Sequence, residues 1–225
     1  MDRAAWLRER REAVVADYDH DASTYDENPY STATHAAFVD RLVSTTQMRG
    51  VVLDAPCGTG QYFARITDAG RRVVGIDQSA GMLSQADARG LAERLLRVGL
   101  QEMTFEDEFD AAMTVDAMEH VPPEDWPIVL ANLVWAVRAG GHIYLTLEET
   151  ADAEIADAAA KATEAGLPAV AGEVIEGDTG GYHFYPGRDR VRSWLAEQRL
   201  EIVAQADNPL DGWAYWHLIV RTPMP

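Results

Sequence analysis

Five short apolar segments between Val51 and Leu147 alternate with segments that favour helices, and this alternation constrains the fold more than any other feature of the chain. Strands that alternate with helices form a parallel sheet with helices on both faces. The predicted strands are Val51–Asp54, Arg72–Asp77, Leu95–Val98, Phe109–Val115 and His142–Leu147. The predicted helices between them run from about Gly60 to Ala69, from Ser79 to Ala88 and from Glu124 to Arg138.

Segments of different character flank this core of residues 51–147. Residues 1–17 and Ser31–Thr46 predict two helices, which we expect to form a helical cap over residues 1–47. An Ala-rich helix and a Gly-rich, irregular stretch predict a lid or substrate insertion over residues 151–187. Residues 188–225 predict a helix and two strands, Leu200–Ala206 and Trp213–Arg221, which must pair antiparallel because their connection is short. We expect all these parts to form one domain.

The chain is strongly acidic. Its 19 lysine and arginine residues against 37 aspartate and glutamate residues give a net charge of −18. Such a surface repels nucleic acids and anionic membranes, since affinity for phosphates comes largely from lysine and arginine. It favours a small-molecule partner, although the acidity can also serve only to keep the protein in solution. The oligomeric state is left open.

Targeting and cysteine content indicate the cytoplasm. No apolar run is long enough to cross a bilayer. The first residues lack the apolar core and cleavage site of a signal peptide. Cys57 is the single cysteine, so neither a disulfide framework nor a cysteine-based metal site can form, and we expect no metal.

The segment from Val51 to Gly60 predicts a ligand site at the end of the first strand. Ligands of parallel sheets bind at the carboxyl ends of strands, and Gly58 and Gly60 would let the backbone approach one closely. A dinucleotide fingerprint needs a third glycine, where this chain has Phe63. A carboxylate at Asp54 would repel a pyrophosphate, whereas it would attract an ammonium or sulfonium cation.

Asp77 ends the second predicted strand and can accept hydrogen bonds from both hydroxyls of a ribose. S-adenosylmethionine carries a ribose, both cations and no phosphate. Helix capping or solvation is the alternative interpretation of Asp54 and Asp77.

These motifs resemble those of the class I S-adenosylmethionine-dependent methyltransferases that act on small molecules. LDAPCGTG is similar to the first motif of that family and VVGIDQSAGML to the second, while FDAAMTVDAMEHV and LVWAVRAGGHIYLTL are similar to the segments around its fourth and fifth strands. The resemblance covers about residues 15–147. It implies a Rossmann-like, doubly wound, mostly parallel α/β sheet of seven strands, with an antiparallel C-terminal strand and a helical or loop lid.

The resemblance also implies positions around S-adenosylmethionine. Gln78 and Met82 would flank the ribose and adenine, although Met82 can equally be core packing. Tyr25, in the A-x-x-Y-D pattern, would lie near the methionine end. Pro56 replaces the first glycine of the family's glycine triad, which stiffens the turn without excluding the cofactor.

The segment after the third strand departs from the family pattern. The family often has Gly-Asp there, with the aspartate near the adenine amino group, whereas this chain has Gly99, Leu100 and Gln101. Adenine recognition would then fall to the Gln101 side chain or to the backbone.

Methyl transfer to an alcohol, a phenol or a carbon nucleophile involves loss of a proton, and several side chains are candidate bases. His120 follows the fourth strand and has a suitable pKa, although it can instead line the cofactor pocket or cap the next helix. His183 lies in the predicted lid, either as a base delivered by closure or as a solvated loop residue. His217 and Cys57 are interpreted as packing residues. Tyr25, Tyr185 and Glu119 are the other candidates.

Aromatic residues cluster on both sides of the expected methyl group. The N-terminal cap supplies Tyr18, Tyr25 and Tyr30, and the predicted lid supplies Tyr182, Phe184 and Tyr185. Flat aromatic walls favour a flat or cationic acceptor, such as an indole, phenol or amine of secondary metabolism.

Three other functions stay open at this point. The same fold can use bound S-adenosylmethionine for a reaction that transfers no methyl group, and formation of S-adenosylhomocysteine would distinguish the two. A nicotinamide dehydrogenase is disfavoured by Asp54 and Phe63. A non-catalytic module that only senses the cofactor is disfavoured by the aromatic lid.

Overall fold

The computed structural model describes residues 2–27, 32–176, 181–210 and 213–224. A sheet of seven strands forms its centre, in the order β3-β2-β1-β4-β5-β9-β8. Strands β1 to β5 are parallel, β9 is antiparallel to β5, and β8 is antiparallel to β9. The strands are β1 (Val51–Asp54), β2 (Arg72–Asp77), β3 (Arg94–Arg97), β4 (Phe109–Thr114), β5 (Val137–Thr150), β8 (Glu201–Pro209) and β9 (Trp213–Arg221). The predicted fold class is confirmed.

Seven α-helices accompany the sheet in the described residues. They are α1 (Arg3–Asp21), α2 (Ala33–Thr45), α3 (Phe63–Asp68), α4 (Ala80–Ala88), α5 (Trp126–Ala136), α6 (Asp152–Glu164) and α7 (Arg188–Glu197). None of these helices combines the length and apolar character that a membrane crossing requires.

Successive residues of the central strands point into opposite helical layers, as the pleat of a strand dictates. Val52 belongs to an apolar cluster with Leu42 of α2 and Ile66 of α3. Leu53, the next residue, belongs to the cluster on the other face, which includes Leu133 of α5. The sheet is therefore buried on both faces, and its continuous apolar strands follow from this burial.

The strand order places a cleft at one edge of the sheet. β1 pairs with β2 on one side and with β4 on the other, so the chain reverses its direction of winding beside β1. The connections that leave β1 and β4 diverge at their carboxyl ends and open a crevice there. This crevice is where the residues after β1, β2 and β4 meet.

The irregular loop predicted for the Gly-rich stretch is wrong for its described part. Strands β6 (Glu173–Glu176) and β7 (Gly181–Phe184) form an antiparallel hairpin outside the main sheet. Tyr182 and Phe184 alternate along β7 and are buried in the core cluster that contains Trp6. This alternation is a strand signal, which the surrounding glycines concealed.

Several predicted boundaries also change. Helix α1 continues to Asp21 instead of ending at residue 17, and its last turn lies over α4. Strand β5 extends beyond the predicted His142–Leu147, because Glu148, Glu149 and Thr150 pair with residues 213–215 of β9. Local sequence patterns predict the presence of these helices and strands, whereas contacts with distant residues determine where each of them ends.

Two tryptophans of α5 provide a stability test of this packing. Trp126 is 1% exposed, whereas Trp135 on the same helix is 67% exposed. We expect Trp126→Ala to lower the free energy of unfolding by about 3–5 kcal/mol, since it removes a buried aromatic side chain. Trp135→Ala, the matched control, should change it by less than about 0.5 kcal/mol. Urea unfolding followed by circular dichroism measures both, and equal losses would contradict the packing described.

Candidate active site

The crevice at the carboxyl ends of β1, β2 and β4 contains most of the residues that the sequence selects for a cofactor. The turn after β1 forms its floor, the turn after β2 one side, and helix α1 its cover. The predicted residues that line it are Tyr18, Tyr25, Asp54, Pro56, Gly58, Asp77, Gln78, Met82, Leu100, Gln101 and His120.

The two glycines of the turn have different functions. Gly58 has a φ of +52°, and a Cβ at this position would meet no atom within 4 Å, so its backbone faces open space. Gly60 does not line the crevice, contrary to the prediction. A Cβ on Gly60 would lie 2.6 Å from the Phe63 ring, and its φ is +76°, so the turn itself favours glycine at this position.

Asp77 holds the floor of the crevice in place. Its two carboxylate oxygens accept hydrogen bonds from the Gly58 N–H at 2.9 Å and from the Ser79 N–H at 2.8 Å. Burial raises the pKa of Asp77, and these backbone donors act in the opposite direction. A carboxylate has about four acceptor positions, so Asp77 keeps capacity to accept a hydrogen bond from a ligand hydroxyl.

Asp54 is a buried carboxyl group that lacks a partner. It is 1% exposed and lines the crevice, and neither of its oxygens has a hydrogen-bond partner among the described residues. Burial, followed by repulsion from Asp77, raises its pKa well above the usual value. An uncompensated carboxyl group is costly to bury. The crevice thus fits a cationic group placed beside Asp54, as the ammonium or sulfonium of S-adenosylmethionine would be.

Helix α1 covers the crevice with side chains that the sequence reasoning missed. Arg11, Val14 and Val15 line it together with Tyr18. The signal lay in their spacing, since residues 11, 14, 15 and 18 share one face of a helix. The helix is held there because Asp19 accepts hydrogen bonds from Ser79 Oγ at 2.6 Å and from Gly81 N–H at 2.8 Å.

The Gln101 side chain lies in the crevice, where its amide donates a hydrogen bond to Asp125 at 3.3 Å. Arg11 of α1 also donates to Asp125. The backbone of this segment is fixed as well, because Asn132 donates to the Leu100 carbonyl at 2.9 Å.

His120 has both ring nitrogens engaged. Nδ1 lies 2.9 Å from the Tyr182 carbonyl, which can only accept, so Nδ1 carries the proton. Nε2 then accepts a hydrogen bond from the Tyr18 hydroxyl at 2.9 Å. Burial lowers the pKa of His120, although the Tyr182 carbonyl and Asp116 oppose this change. The ring is therefore neutral at pH 7, with a basic nitrogen directed at a tyrosine hydroxyl.

A second, larger chamber adjoins the crevice. It is bounded by α1, α6, the β6–β7 hairpin and the ends of β5 and β9. His183, Tyr182 and Tyr185 line it, as does Glu119. The residues that line both spaces are Val14, Tyr18, Tyr25, Asp116 and His120. The two spaces therefore meet around the His120 ring.

The predicted residues of the hairpin have different surroundings. His183 lies with its ring centre 5.0 Å from that of His120, and burial together with His120 lowers its pKa to about 4. The Tyr182 hydroxyl donates to Glu173 at 2.6 Å, so this end of the side chain belongs to the core. Tyr30, a predicted acceptor contact, lies outside the described residues.

Asp116 and His35 form a pair that the sequence reasoning missed. His35 Nδ1 accepts from the Thr32 N–H, so its Nε2 donates to Asp116 at 3.1 Å. Asp116 has a left-handed backbone with a φ of +50°, which aspartate tolerates better than most residues. The two residues are 81 positions apart in sequence, so no local sequence pattern predicts their contact.

His217 and Cys57 are packing residues, in agreement with the sequence interpretation. His217 is buried in the sheet and contacts the Tyr144 hydroxyl at 2.8 Å. Cys57 is buried beneath the turn, and burial raises the pKa of its thiol, which makes it a poor nucleophile.

Comparison with known proteins finds methyltransferases. A family model described as a methyltransferase domain matches residues 52–141. The malonyl-[acyl-carrier protein] O-methyltransferase of Serratia marcescens is 31% identical over 154 residues, which cover 66% of this chain and 58% of that protein. A putative methyltransferase of Bacillus subtilis is 33% identical over 100 residues, which cover 43% of this chain and 40% of that protein. The chain thus spans about half the length of these curated relatives.

The fold is also found in a solved structure. The 1,6-didemethyltoxoflavin-N1-methyltransferase of Burkholderia thailandensis, solved with 1,6-didemethyltoxoflavin and S-adenosylhomocysteine, matches with a TM-score of 0.74. The match covers 99% of this chain and 91% of that one, at 17% sequence identity.

The protonation of His120 can be observed directly. We expect nitrogen-15 NMR to show a neutral ring with the proton on Nδ1 at pH 7, and a pKa below 6.5, because burial disfavours the charged form. Tyr18→Phe should shift the Nε2 resonance, since it removes the hydroxyl that donates to it. A ring protonated on Nε2, or one that titrates above pH 6.5, would contradict this geometry.

Proposed function

Because the chain carries a methyltransferase domain of the class I, S-adenosylmethionine-dependent family, we propose that it transfers a methyl group to a small aromatic or amine-containing molecule of secondary metabolism. The observation that carries this proposal is the meeting of two spaces at His120. One of them fits the cofactor and the other has room and aromatic walls for an acceptor. The acceptor and the methyl group would approach each other beside Tyr18 and Tyr25.

Different residues of the crevice would contact different parts of the cofactor. Asp77 would accept hydrogen bonds from the two ribose hydroxyls, and Asp54 would neutralise the cationic methionine end. Gln78, Met82 and the segment at Leu100–Gln101 would surround the ribose and adenine. Pro56 and Gly58 would let the backbone of the turn lie close to the ligand, because neither presents a long side chain there.

When bound, S-adenosylmethionine supplies a methyl group already activated on sulfur. The protein would then contribute position and exclusion of water, which can correspond to effective molarities on the order of 10⁵ M or more. Helix α1 and the β6–β7 hairpin would exclude water from the two sides. The aromatic rings of Tyr18 and Tyr25 would hold the acceptor against the methyl carbon.

His120 would remove the proton from the acceptor. Its Nε2 is unprotonated and basic, and the Tyr18 hydroxyl that donates to it lines the crevice. When the methyl group is transferred, the proton of the acceptor would move to His120 Nε2, either directly or through the Tyr18 hydroxyl. His183 and Tyr25 are the alternative bases.

The first test concerns the cofactor. We expect calorimetry to detect binding of S-adenosylhomocysteine in the micromolar range and no comparable binding of NAD. Asp77→Ala should weaken S-adenosylhomocysteine binding by about tenfold or more, because each hydrogen bond to a charged group contributes roughly 1.5–3 kcal/mol. Asp87→Ala, which removes an exposed carboxylate of α4, is the matched control. Unchanged affinity in Asp77→Ala would exclude Asp77 as the ribose ligand.

The second test concerns His120 and needs a product readout. Incubation with deuterium-labelled S-adenosylmethionine and an extract of small molecules should yield a labelled product and S-adenosylhomocysteine. With that acceptor, His120→Ala should lower turnover by about 10²-fold while cofactor affinity changes little. The acid limb of the wild-type rate should lie below pH 6.5, since activity requires the neutral ring and its pKa is lowered. Full turnover at saturation would transfer the role to His183 or Tyr25.

A further inference from the structure

The chamber beside His120 is lined by acidic groups. Its only lysine or arginine among the described residues is Lys161, which forms an ion pair with Asp157 at 2.7 Å. The two histidines, His120 and His183, have lowered pKa values and carry no charge at pH 7. The seven carboxyl groups that line it are those of Asp17, Asp21, Asp116, Glu119, Glu148, Glu154 and Asp157.

Glu119 distinguishes this chamber from an ordinary acidic surface. It is 7% exposed, and its Oε2 atom has no hydrogen-bond partner among the described residues. The other carboxyl oxygen lies 3.8 Å from His120 Nε2, beyond hydrogen-bond distance. Burial raises the pKa of Glu119, and Asp116 and Glu148 raise it further by repulsion. A hydrogen bond from its own backbone N–H acts in the opposite direction, but it leaves Oε2 without a partner, so most of the cost of burying this carboxyl group is not offset.

Apart from Asp54 in the crevice, the other buried carboxylates around these two spaces have compensating partners, as does the half-buried Asp116, which makes Glu119 informative. Glu173 accepts hydrogen bonds from Tyr182 and forms an ion pair with Arg3 at 2.8 Å. Asp116 accepts a hydrogen bond from His35 at 3.1 Å. The Oε2 atom of Glu119 has no such donor among the described residues, yet Glu119 borders a space large enough for a ligand. A cation in that space would compensate it.

Aromatic rings complete the walls around these carboxyl groups. Tyr25, Tyr185, Trp213 and Tyr215 all line the chamber. Tyr215 lies opposite Glu148 in the pairing of β5 with β9, so an aromatic ring and a carboxylate share one part of the wall. Aromatic faces attract ammonium groups and also stack on flat rings.

We propose that the acceptor is an aromatic organic cation, whose protonated amine lies beside Glu119 and Glu148 while its ring packs against the tyrosines. This inference rests on the proposed function, because it assigns the acceptor of that same site. A cationic acceptor would differ from the substrate named for the malonyl-[acyl-carrier protein] O-methyltransferase relatives. A malonyl group carries a free carboxylate, which the excess of carboxylates over cations in this chamber would repel.

Three probes of nearly equal size test the preference for charge. Tyramine is a phenol with a protonated amine, 4-ethylphenol is neutral, and 3-(4-hydroxyphenyl)propionate is an anion. We expect tyramine to bind the protein saturated with S-adenosylhomocysteine at least about tenfold more tightly than 4-ethylphenol, since its ammonium group would lie beside the buried Glu119 carboxyl group. The anion should not bind measurably. Equal affinities for the three probes, or tighter binding of the anion, would overturn the proposal.

Substitutions of single carboxyl groups identify the residue that causes the preference for a cation. Glu119→Gln keeps the shape of the side chain and should weaken tyramine binding by about tenfold, while 4-ethylphenol binding stays within about twofold. Glu148→Gln should also weaken tyramine binding, and it provides the test if Glu119→Gln does not fold. Glu106→Gln removes an exposed carboxylate outside the chamber and should change neither affinity. Equal weakening of both probes by Glu119→Gln would assign this residue to folding alone.

The same samples separate failure of this inference from failure of the proposed function. If S-adenosylhomocysteine does not bind, the proposed function fails, and the charge preference of the chamber is still measured without it. If S-adenosylhomocysteine binds and tyramine shows no preference over 4-ethylphenol, the cationic acceptor alone is wrong.

Discussion

The carboxylate of Asp77 accepts hydrogen bonds from the N–H groups of Gly58 and Ser79, and the geometry of the whole crevice depends on these two bonds. They join the turn after β1, which forms the floor of the crevice, to the turn after β2, which forms one of its sides. Bonds between a charged group and backbone donors are among the stronger hydrogen bonds in proteins. Because the donors come from the backbone, the contact constrains the conformation of both turns more than the identity of their side chains.

The N-terminal helix depends on the same turn. Ser79 donates a backbone N–H to Asp77 and a hydroxyl to Asp19, so it joins the floor of the crevice to its cover. Helix α1 then presents Tyr18 to His120, and the hairpin presents the Tyr182 carbonyl to the other nitrogen of that ring. A chain of contacts thus extends from the sheet to the ring at the boundary between the two spaces.

The sequence predicts the parts of this arrangement that local patterns encode. The strands β1 to β5, the turn at Gly58 and the carboxyl groups of Asp54 and Asp77 follow from apolar runs that end in polar residues. It cannot predict the parts that depend on distant pairing. The contact between His35 and Asp116 joins residues 81 positions apart. The sequence pattern assigns Gly60 to the ligand site, whereas its φ of +76° and the position of the Phe63 ring show that the turn itself favours glycine there.

His120 is held by two separate covers of the site, one on each ring nitrogen. The orientation of its ring therefore depends on helix α1 and on the β6–β7 hairpin at the same time. If one cover is displaced, the ring keeps a hydrogen bond on one nitrogen only, and its orientation is less tightly fixed. The precision with which Nε2 is aimed is therefore a joint property of helix α1 and the hairpin, and neither cover supplies it alone.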